Sequence, residues 1–336
     1  MFSFIPNEYF LLAFGFILLI KGGDWFVDAA SGIAKRFHLP ELLIGATVVS
    51  IGTTLPEVMT SAMGAAAGSG AVAYGNAIGS IICNTSLIAA ITIAIKPGKA
   101  DKKSLVFPVC FFFGAAAFYA FNAYFFGKFD LWMGIVLLLG FVVYMIMNVI
   151  NMKKSPAESE ELDSIEESDD GEAKGGLIKD IGVLIVAALV IAVGAYLLVE
   201  SATEIAHQLN VPETIISLTI VALGTSLPEL VTAITALMKG HGALSLGNII
   251  GANIFNLVLV SGAAISINPF AVPAEATFLG KNASLVFDLP LVFVVMGIMT
   301  IPTVFTGKLR RWQGVSLLTL YAAYCVLQFA ILPNFA

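Results

Sequence analysis

The chain has 336 residues, 58% hydrophobic and only 12% charged, with a formal net charge of −6. A soluble domain of this length carries about a quarter charged residues, so composition excludes an ordinary water-soluble globular protein and points to a polytopic membrane protein. The three cysteines, Cys83, Cys110 and Cys325, lie in apolar segments and the three histidines are scattered, which excludes a disulfide framework and a zinc ligand spacing and leaves three free, buried thiols as the expectation.

Apolar runs of roughly 20 residues are long enough to cross the hydrocarbon layer. Taken in chain order, hydropathy predicts ten spans, at 9–34, 40–66, 71–95, 104–126, 130–151, 178–206, 212–238, 243–268, 284–304 and 310–331. The start, MFSFIPNEYF, lacks a basic n-region and a small-residue cleavage site, so the first span is expected to be retained. That span carries Asp24 and Asp28 one turn apart; with Glu200 and Glu204 of the sixth they read as membrane-surface residues or as the lining of a cation access path. Trp132 and Trp312 open the fifth and tenth spans as interfacial anchors. Asp288 stands alone in the ninth, with no role that the sequence explains.

With ten spans, fourteen of the 17 Lys and Arg residues fall on one side: Lys35, Arg36, Lys96, Lys99, Lys102, Lys103, Lys153, Lys154, Lys174, Lys179, Lys239, Lys308, Arg310 and Arg311. The positive-inside bias then places both termini outside and the middle segment in the cytoplasm; the membrane is expected to be the inner (plasma) membrane, which the charges do not themselves specify. Between the fifth and sixth spans, SPAESEELDSIEESDDGEAKGG is acidic and almost devoid of apolar residues, which predicts a solvated linker over 152–176. It lacks the spaced ligands and the glycine of an EF-hand loop.

The two flanking regions, 1–151 and 177–336, are copies of one another. FHLPELLIGATVVSIGTTLPEVMT (37–60) lies on LNVPETIISLTIVALGTSLPELVT (209–232) without a gap, and GNAIGSIICNTSL (75–87) lies on GNIIGANIFNLVL (247–259) in the same register. The register shifts once further on, where SLVF (104–107) meets SLVF (284–287) and GKFDLWMG (127–134) meets GKLRRWQG (307–314). Each copy holds five spans, an odd number, so the second enters the membrane from the opposite side. The predicted fold is therefore an all-α polytopic membrane protein of ten transmembrane helices in two inverted-topology five-helix repeats, an arrangement common in secondary transporters whose site lies near the midplane.

Within each copy the polar residues concentrate in two motifs. In GTTLPE, Thr53 and Glu57 stand at i, i+4 on one helix face; Thr225 and Glu229 do so in GTSLPE. Pro56 and Pro228 have no N–H, so each is expected to release the carbonyl four residues back, at Gly52 and Gly224, and to bend its helix. Asn84 follows Glu57 at the same spacing as Asn256 follows Glu229, and Ser80 precedes Asn84 by one turn, its counterpart being Ala252. Gly75, Gly79, Gly247 and Gly251 are expected to admit close helix approach, and Asn76 and Asn248 read as helix-start or packing residues. Carboxylates, amides, hydroxyls and carbonyls form an all-oxygen ligand set, which suits a hard, flexibly coordinated cation such as Ca²⁺ more than Mg²⁺. Carboxylates inside a membrane are expensive enough to be functional by default.

With these motifs in place, the chain resembles the sodium/calcium exchangers of the calcium/cation antiporter superfamily, most closely the bacterial calcium/sodium antiporters. The resemblance covers essentially the whole chain. It implies that Glu57 and Glu229 are the central ligands, that Thr53 and Thr225 join them at a calcium site, that Thr54, Ser226 and Ser80 help to bind sodium, and that the carbonyls of Ser50 and Ala222 contribute. It implies Na⁺/Ca²⁺ antiport by alternating access, with Ca²⁺ and Na⁺ as transported ions, no cofactor, no nucleic-acid partner, and a monomer in the lipid bilayer sufficient for transport. Ala252 stands where a serine often sits in the family, and Asn256 where some members carry aspartate. The stretches after GN lack the glutamate usual in proton-coupled relatives, which favours sodium; a proton/calcium antiporter is the alternative. A cation channel would usually need a pore on an oligomer axis, and no nucleophile–base pair, HExxH or phosphate loop supports an intramembrane enzyme.

Overall fold

The computed structural model describes residues 7–37, 39–154, 170–208, 224–274, 277–278 and 280–328. Most of the predicted linker, the first part of the seventh span and Ala222 lie outside these residues. Among the described residues, eight helices are long and apolar enough to cross a membrane. They are α1 (Asn7–Arg36), α2 (Glu41–Ala66), α3 (Gly70–Ile95), α4 (Lys102–Phe126), α5 (Leu131–Lys154), α6 (Asp170–Gln208), α8 (Gly242–Ile267) and α9 (Ser284–Thr306). The shorter α7 (Leu227–Met238) and α10 (Arg311–Val326) complete the helices used below. Helices suit this solvent because each satisfies its own backbone polar groups without water.

Matched positions adopt matched local structure. The bounds of α3 and α8 correspond in the repeat register, Gly70 with Gly242 and Ile95 with Ile267. The helices α4 and α9 both end on a left-handed glycine, Gly127 (φ 65°) and Gly307 (φ 68°), whose N–H groups are donated to the carbonyls of Ala123 and Thr303. A left-handed cap of this kind strongly favours glycine. The structure departs from a purely helical reading in two small antiparallel ladders. One pairs Lys128 with Ala271 and Phe129 with Phe270; the other pairs Thr277–Phe278 with Lys281–Asn282.

The chain divides into two compact units, each taking segments from both halves of the sequence. The first comprises 1–53 and 146–248, the second 54–145 and 249–336. In the first unit α1 lies along α6. Gly15 and Gly194 face each other so closely that a Cβ on either would meet the other's carbonyl oxygen at about 3 Å. Around them Leu19, Phe26, Ala30, Leu184, Ala187 and Ile191 form the core. Arg36 pairs with Asp180 at 3.2 Å, and Lys239 with Asp28 at 2.7 Å. Asp24 lies 3.5 Å from the same ammonium, so these two aspartates belong to an ion-paired cluster rather than standing bare along the span.

In the same unit the first part of α2 meets α8 at backbone distance. A Cβ on Gly247 would collide with the Leu42 carbonyl oxygen, and one on Gly45 with that of Leu244. The expectation of close approach thus holds at Gly247. It fails at Gly75 and Gly79, where an added Cβ would meet nothing within 4 Å. Glycine spacing alone does not say which side of a helix its neighbour occupies.

In the second unit Gly314 of α10 packs on α3, where a Cβ would lie 2.6 Å from the Ala90 carbonyl oxygen. Gln313 is fully buried and donates to the carbonyls of Ile298 and Met299, tying α10 to α9. Asp288 receives the explanation that the sequence lacked: its Oδ1 accepts from the Tyr324 hydroxyl at 3.2 Å and from Gln328 at 3.0 Å. All three cysteines are free, but only Cys83 is buried; Cys110 is exposed and Cys325 half-buried. A thiol facing hydrocarbon loses little by being outside the core. The helix α4 opens with Asp101 as its N-cap, accepting from the backbone N–H of Lys103 and Ser104 and from the Ser104 hydroxyl at 2.6 Å. Partial burial raises the carboxyl's pKa, but the hydrogen bonds from Ser104 outweigh it and leave it below the ordinary value.

Two outcomes follow for the purified protein in detergent. Gly247→Ala should lower the thermal midpoint, since overpacking costs typically about 1–3 kcal/mol, whereas Gly75→Ala should leave it unchanged or slightly raised. Asp101→Ala should cost about 1 kcal/mol at neutral pH. Because the carboxyl is depressed in the folded state, its contribution is complete above the ordinary carboxylate pKa and fades as pH falls through the folded value. The gap between wild type and Asp101→Ala should therefore close on acidification.

Candidate functional site

The second helix carries the first motif. It begins α-helical, passes through a π-helical stretch at Gly45–Val49, and continues as α-helix over Ser50–Ala66. Pro56 sits inside this last part without ending it. The second motif is built differently. Thr225 and Ser226 form a turn, and α7 starts at Leu227 with Pro228 in its first turn. There a proline forfeits nothing, because first-turn N–H groups have no intrahelical acceptor. The expectation that both prolines interrupt a helix in the same way is thus corrected: the same six-residue pattern sits mid-helix once and at a helix start once.

In the first unit stand Ser50, Thr53, Ser226 and Glu229, all buried, with Thr225 half-buried. The Ser50 hydroxyl donates to the Gly45 carbonyl at 2.8 Å, closing the π-helical stretch, and lies 2.9 Å from the Asn248 carbonyl. Thr53 donates to Asn248 Oδ1 at 3.3 Å. Asn248 Nδ2 donates in turn to the Thr232 hydroxyl at 3.0 Å, and that hydroxyl faces the carbonyls of Pro228 at 2.8 Å and Glu229 at 3.1 Å. Four predicted site residues thus have a described place in this unit's interior, and two of them converge on Asn248, which the sequence alone reads as a helix-start or packing residue.

In the second unit Thr54, Glu57, Ser80, Asn84 and Asn256 are likewise buried. The carbonyl of Glu57 accepts from Asn76 Nδ2 at 3.0 Å, and the same amide donates to Ser61 at 2.8 Å. Asn84 and Asn256 each open a π-helical turn, Asn84–Ala89 and Asn256–Val260. Such turns occur frequently at functional sites, and nothing in the sequence announced them. Ser261 donates to the Asn256 carbonyl at 3.0 Å, repeating the Ser50–Gly45 device at the end of another π turn.

The chemistry of these atoms is unusual for a protein interior. The Thr54 and Ser226 hydroxyls, and both polar atoms of Asn84 and of Asn256, are buried with no hydrogen-bond partner among the described residues. Each such group costs roughly 1–3 kcal/mol, and native structures hold few of them without a bound water or ion to account for them. Glu57 and Glu229 are themselves fully buried. Among the described residues no three of His, Cys, Asp and Glu gather around one point. A hard cation would be held by amide, hydroxyl and carbonyl oxygens beside a carboxylate, and the orphaned oxygens supply the amide and hydroxyl types.

Comparison with known proteins agrees with this chemistry. The family model described as sodium/calcium exchanger protein matches residues 7–150 and 179–330, the two stretches that flank the acidic segment. A sodium/calcium exchanger of Methanosarcina acetivorans is 31% identical over 97% of this chain and all of its own length. An uncharacterized membrane protein of Methanocaldococcus jannaschii is 35% identical over 93% of the chain and 94% of its own. Among solved structures, the sodium-calcium exchanger NCX_Mj superposes with a TM-score of 0.77 at 28% identity, covering 96% of this chain and 98% of that one. With a family model spanning both halves and two relatives aligned over nearly their whole length, the chain belongs to the sodium/calcium exchanger family.

Proposed function

We propose that this protein is a secondary active antiporter that exchanges Na⁺ for Ca²⁺ by alternating access, its ions held by residues of the two GT[TS]LPE motifs. The observation that carries this reading is the set of buried oxygens at matched positions. Each motif brings one fully buried glutamate, and Asn84 and Asn256 bring unsatisfied amides. Two carboxylates compensate one dehydrated divalent cation, or sodium ions in its place. In this reading Glu57, Glu229, Thr53 and Thr225 bind calcium with Asn84 and Asn256 beside them. Thr54, Ser226 and Ser80 serve sodium, with the carbonyls of Ser50 and Ala222. Exchange follows because the same carboxylates cannot serve both ions at once.

The reading includes the topology: ten spans in two inverted five-helix repeats, 1–151 and 177–336, with both termini outside the inner membrane and the 152–176 linker in the cytoplasm. Support comes from the odd span number per copy and the one-sided Lys and Arg distribution. A reporter active only in the cytoplasm should be silent when fused to the C-terminus and active when inserted at 160.

The central test is Ca²⁺ uptake into vesicles driven by an imposed Na⁺ gradient. Uptake should follow the Na⁺ gradient, and Glu57→Gln and Glu229→Gln should each abolish it; near-normal exchange in either variant refutes the assigned ligands. One residue favours a second reading. Ala252 removes a hydroxyl that Ser80 supplies in the other copy, which weakens one sodium position. If uptake follows a pH gradient and ignores Na⁺, the protein is a proton/calcium antiporter using the same carboxylates.

A further inference from the structure

Asn76 and Asn248 occupy the same place in their copies, directly after the first glycine of each GN motif. Neither behaves as a simple packing residue. We propose that they are positioning residues of the ion site, Asn76 through the backbone of Glu57, Asn248 through the backbone of Glu229 and the hydroxyl of Thr53. The proposal rests on the ion-binding role proposed above for those three residues.

The second-unit contact is direct. Asn76 Nδ2 donates to the Glu57 carbonyl at 3.0 Å and to Ser61 at 2.8 Å, one turn further along the same helix. Both amide protons of one α3 side chain are thereby spent on the turn of α2 that bears the carboxylate. The Ser61 hydroxyl lies 3.3 Å from the Ala73 carbonyl, back on α3. A lever of this kind fixes where the Glu57 carboxylate can reach, because its Cα cannot drift from α3.

The first-unit contact is relayed. Asn248 Nδ2 donates to Thr232, and the Thr232 hydroxyl proton points at the carbonyls of Pro228 and Glu229. The other end of the same amide accepts from Thr53 at 3.3 Å. A hydroxyl coordinates a cation through its oxygen lone pairs and needs its proton directed elsewhere. Asn248 Oδ1 takes that proton, leaving the Thr53 oxygen an acceptor. The approach of Gly45 and Gly247 brings the two segments near enough for this, since any side chain there would collide with the backbone opposite. Asn76 and Asn248 thus act on the ligands as outer partners act on metal-binding histidines: they set the orientation of the groups that hold the ion.

Thr232 gives the cleanest test, because Val replaces Thr with almost the same shape and without the hydroxyl. Reconstituted wild type, Thr232→Val, Thr232→Ser, Asn248→Leu and Asn76→Leu are compared for Na⁺-driven Ca²⁺ uptake, and for the rise in thermal midpoint that CaCl₂ induces in detergent. Loss of such outer partners costs typically about 10–100-fold in metal affinity. Thr232→Val should therefore raise KM for Ca²⁺ about tenfold or more with Vmax within about twofold, and should need correspondingly more CaCl₂ for the same thermal shift; Thr232→Ser should restore both. A Thr232→Val protein with wild-type KM, or one that only melts earlier, overturns the proposal even if the leucine variants fail to fold. Should wild type show no Na⁺-driven uptake while the CaCl₂ shift still weakens in Thr232→Val and returns in Thr232→Ser, the positioning role stands and sodium coupling falls.

Discussion

Hydrocarbon offers no hydrogen bonds, so every polar atom placed inside a membrane protein must find its partner in the protein or in a ligand. That constraint organises the whole molecule. The helices answer it for the backbone. Side chains such as Gln313 and Asn122 answer it by donating to carbonyls of a helix. Asp288 answers it through Tyr324 and Gln328. Other buried groups have no partner among the described residues, and of these the amides of Asn84 and Asn256 and the hydroxyls of Thr54 and Ser226 fall at matched positions of the two motif sets. The two hydroxyls lie in the same motifs as the two buried glutamates and the two amides in the GN motifs that follow, and their chemistry matches the ions handled by the family to which the chain belongs.

The two copies share much of their sequence pattern and some local structure, and they differ at the motifs. In the second motif proline sits in the first turn of α7, after the turn at Thr225 and Ser226; in the first it sits within a continuing helix. Asn76 reaches its glutamate carbonyl directly, whereas Asn248 works through Thr232. The sequence counterpart of Ser80 is Ala252.

Much of this was legible in the sequence, for definite physical reasons. Span length is set by membrane thickness, so α1 to α6, α8 and α9 emerge close to their hydropathy windows. A buried glutamate beside proline is so disfavoured that Glu57 and Glu229 announce themselves. The π-helical turns at Asn84 and Asn256 were not legible, since one extra residue per turn leaves no trace in composition or period. Nor was the role of Asn76 and Asn248. Both lie seven residues into their helices, not at the helix starts that the sequence suggested, and an amide inside a helix looks the same whether it faces lipid, a neighbouring helix or the carbonyl of a ligand. Gly75 and Gly79 misled for a related reason: a glycine permits contact without requiring it.

The meeting of Gly45 with Gly247 has a mechanical meaning beyond packing. With backbone against backbone, the first part of α2 and the start of α8 have no compressible side chain between them, and sliding by even a fraction of an ångström would force carbonyl into Cα. Those two segments therefore act as a single stiff member. Compliance in the first unit has to come from contacts padded by flexible side chains, such as Gly22 against Ile191 or Gly23 against Val231 along α1.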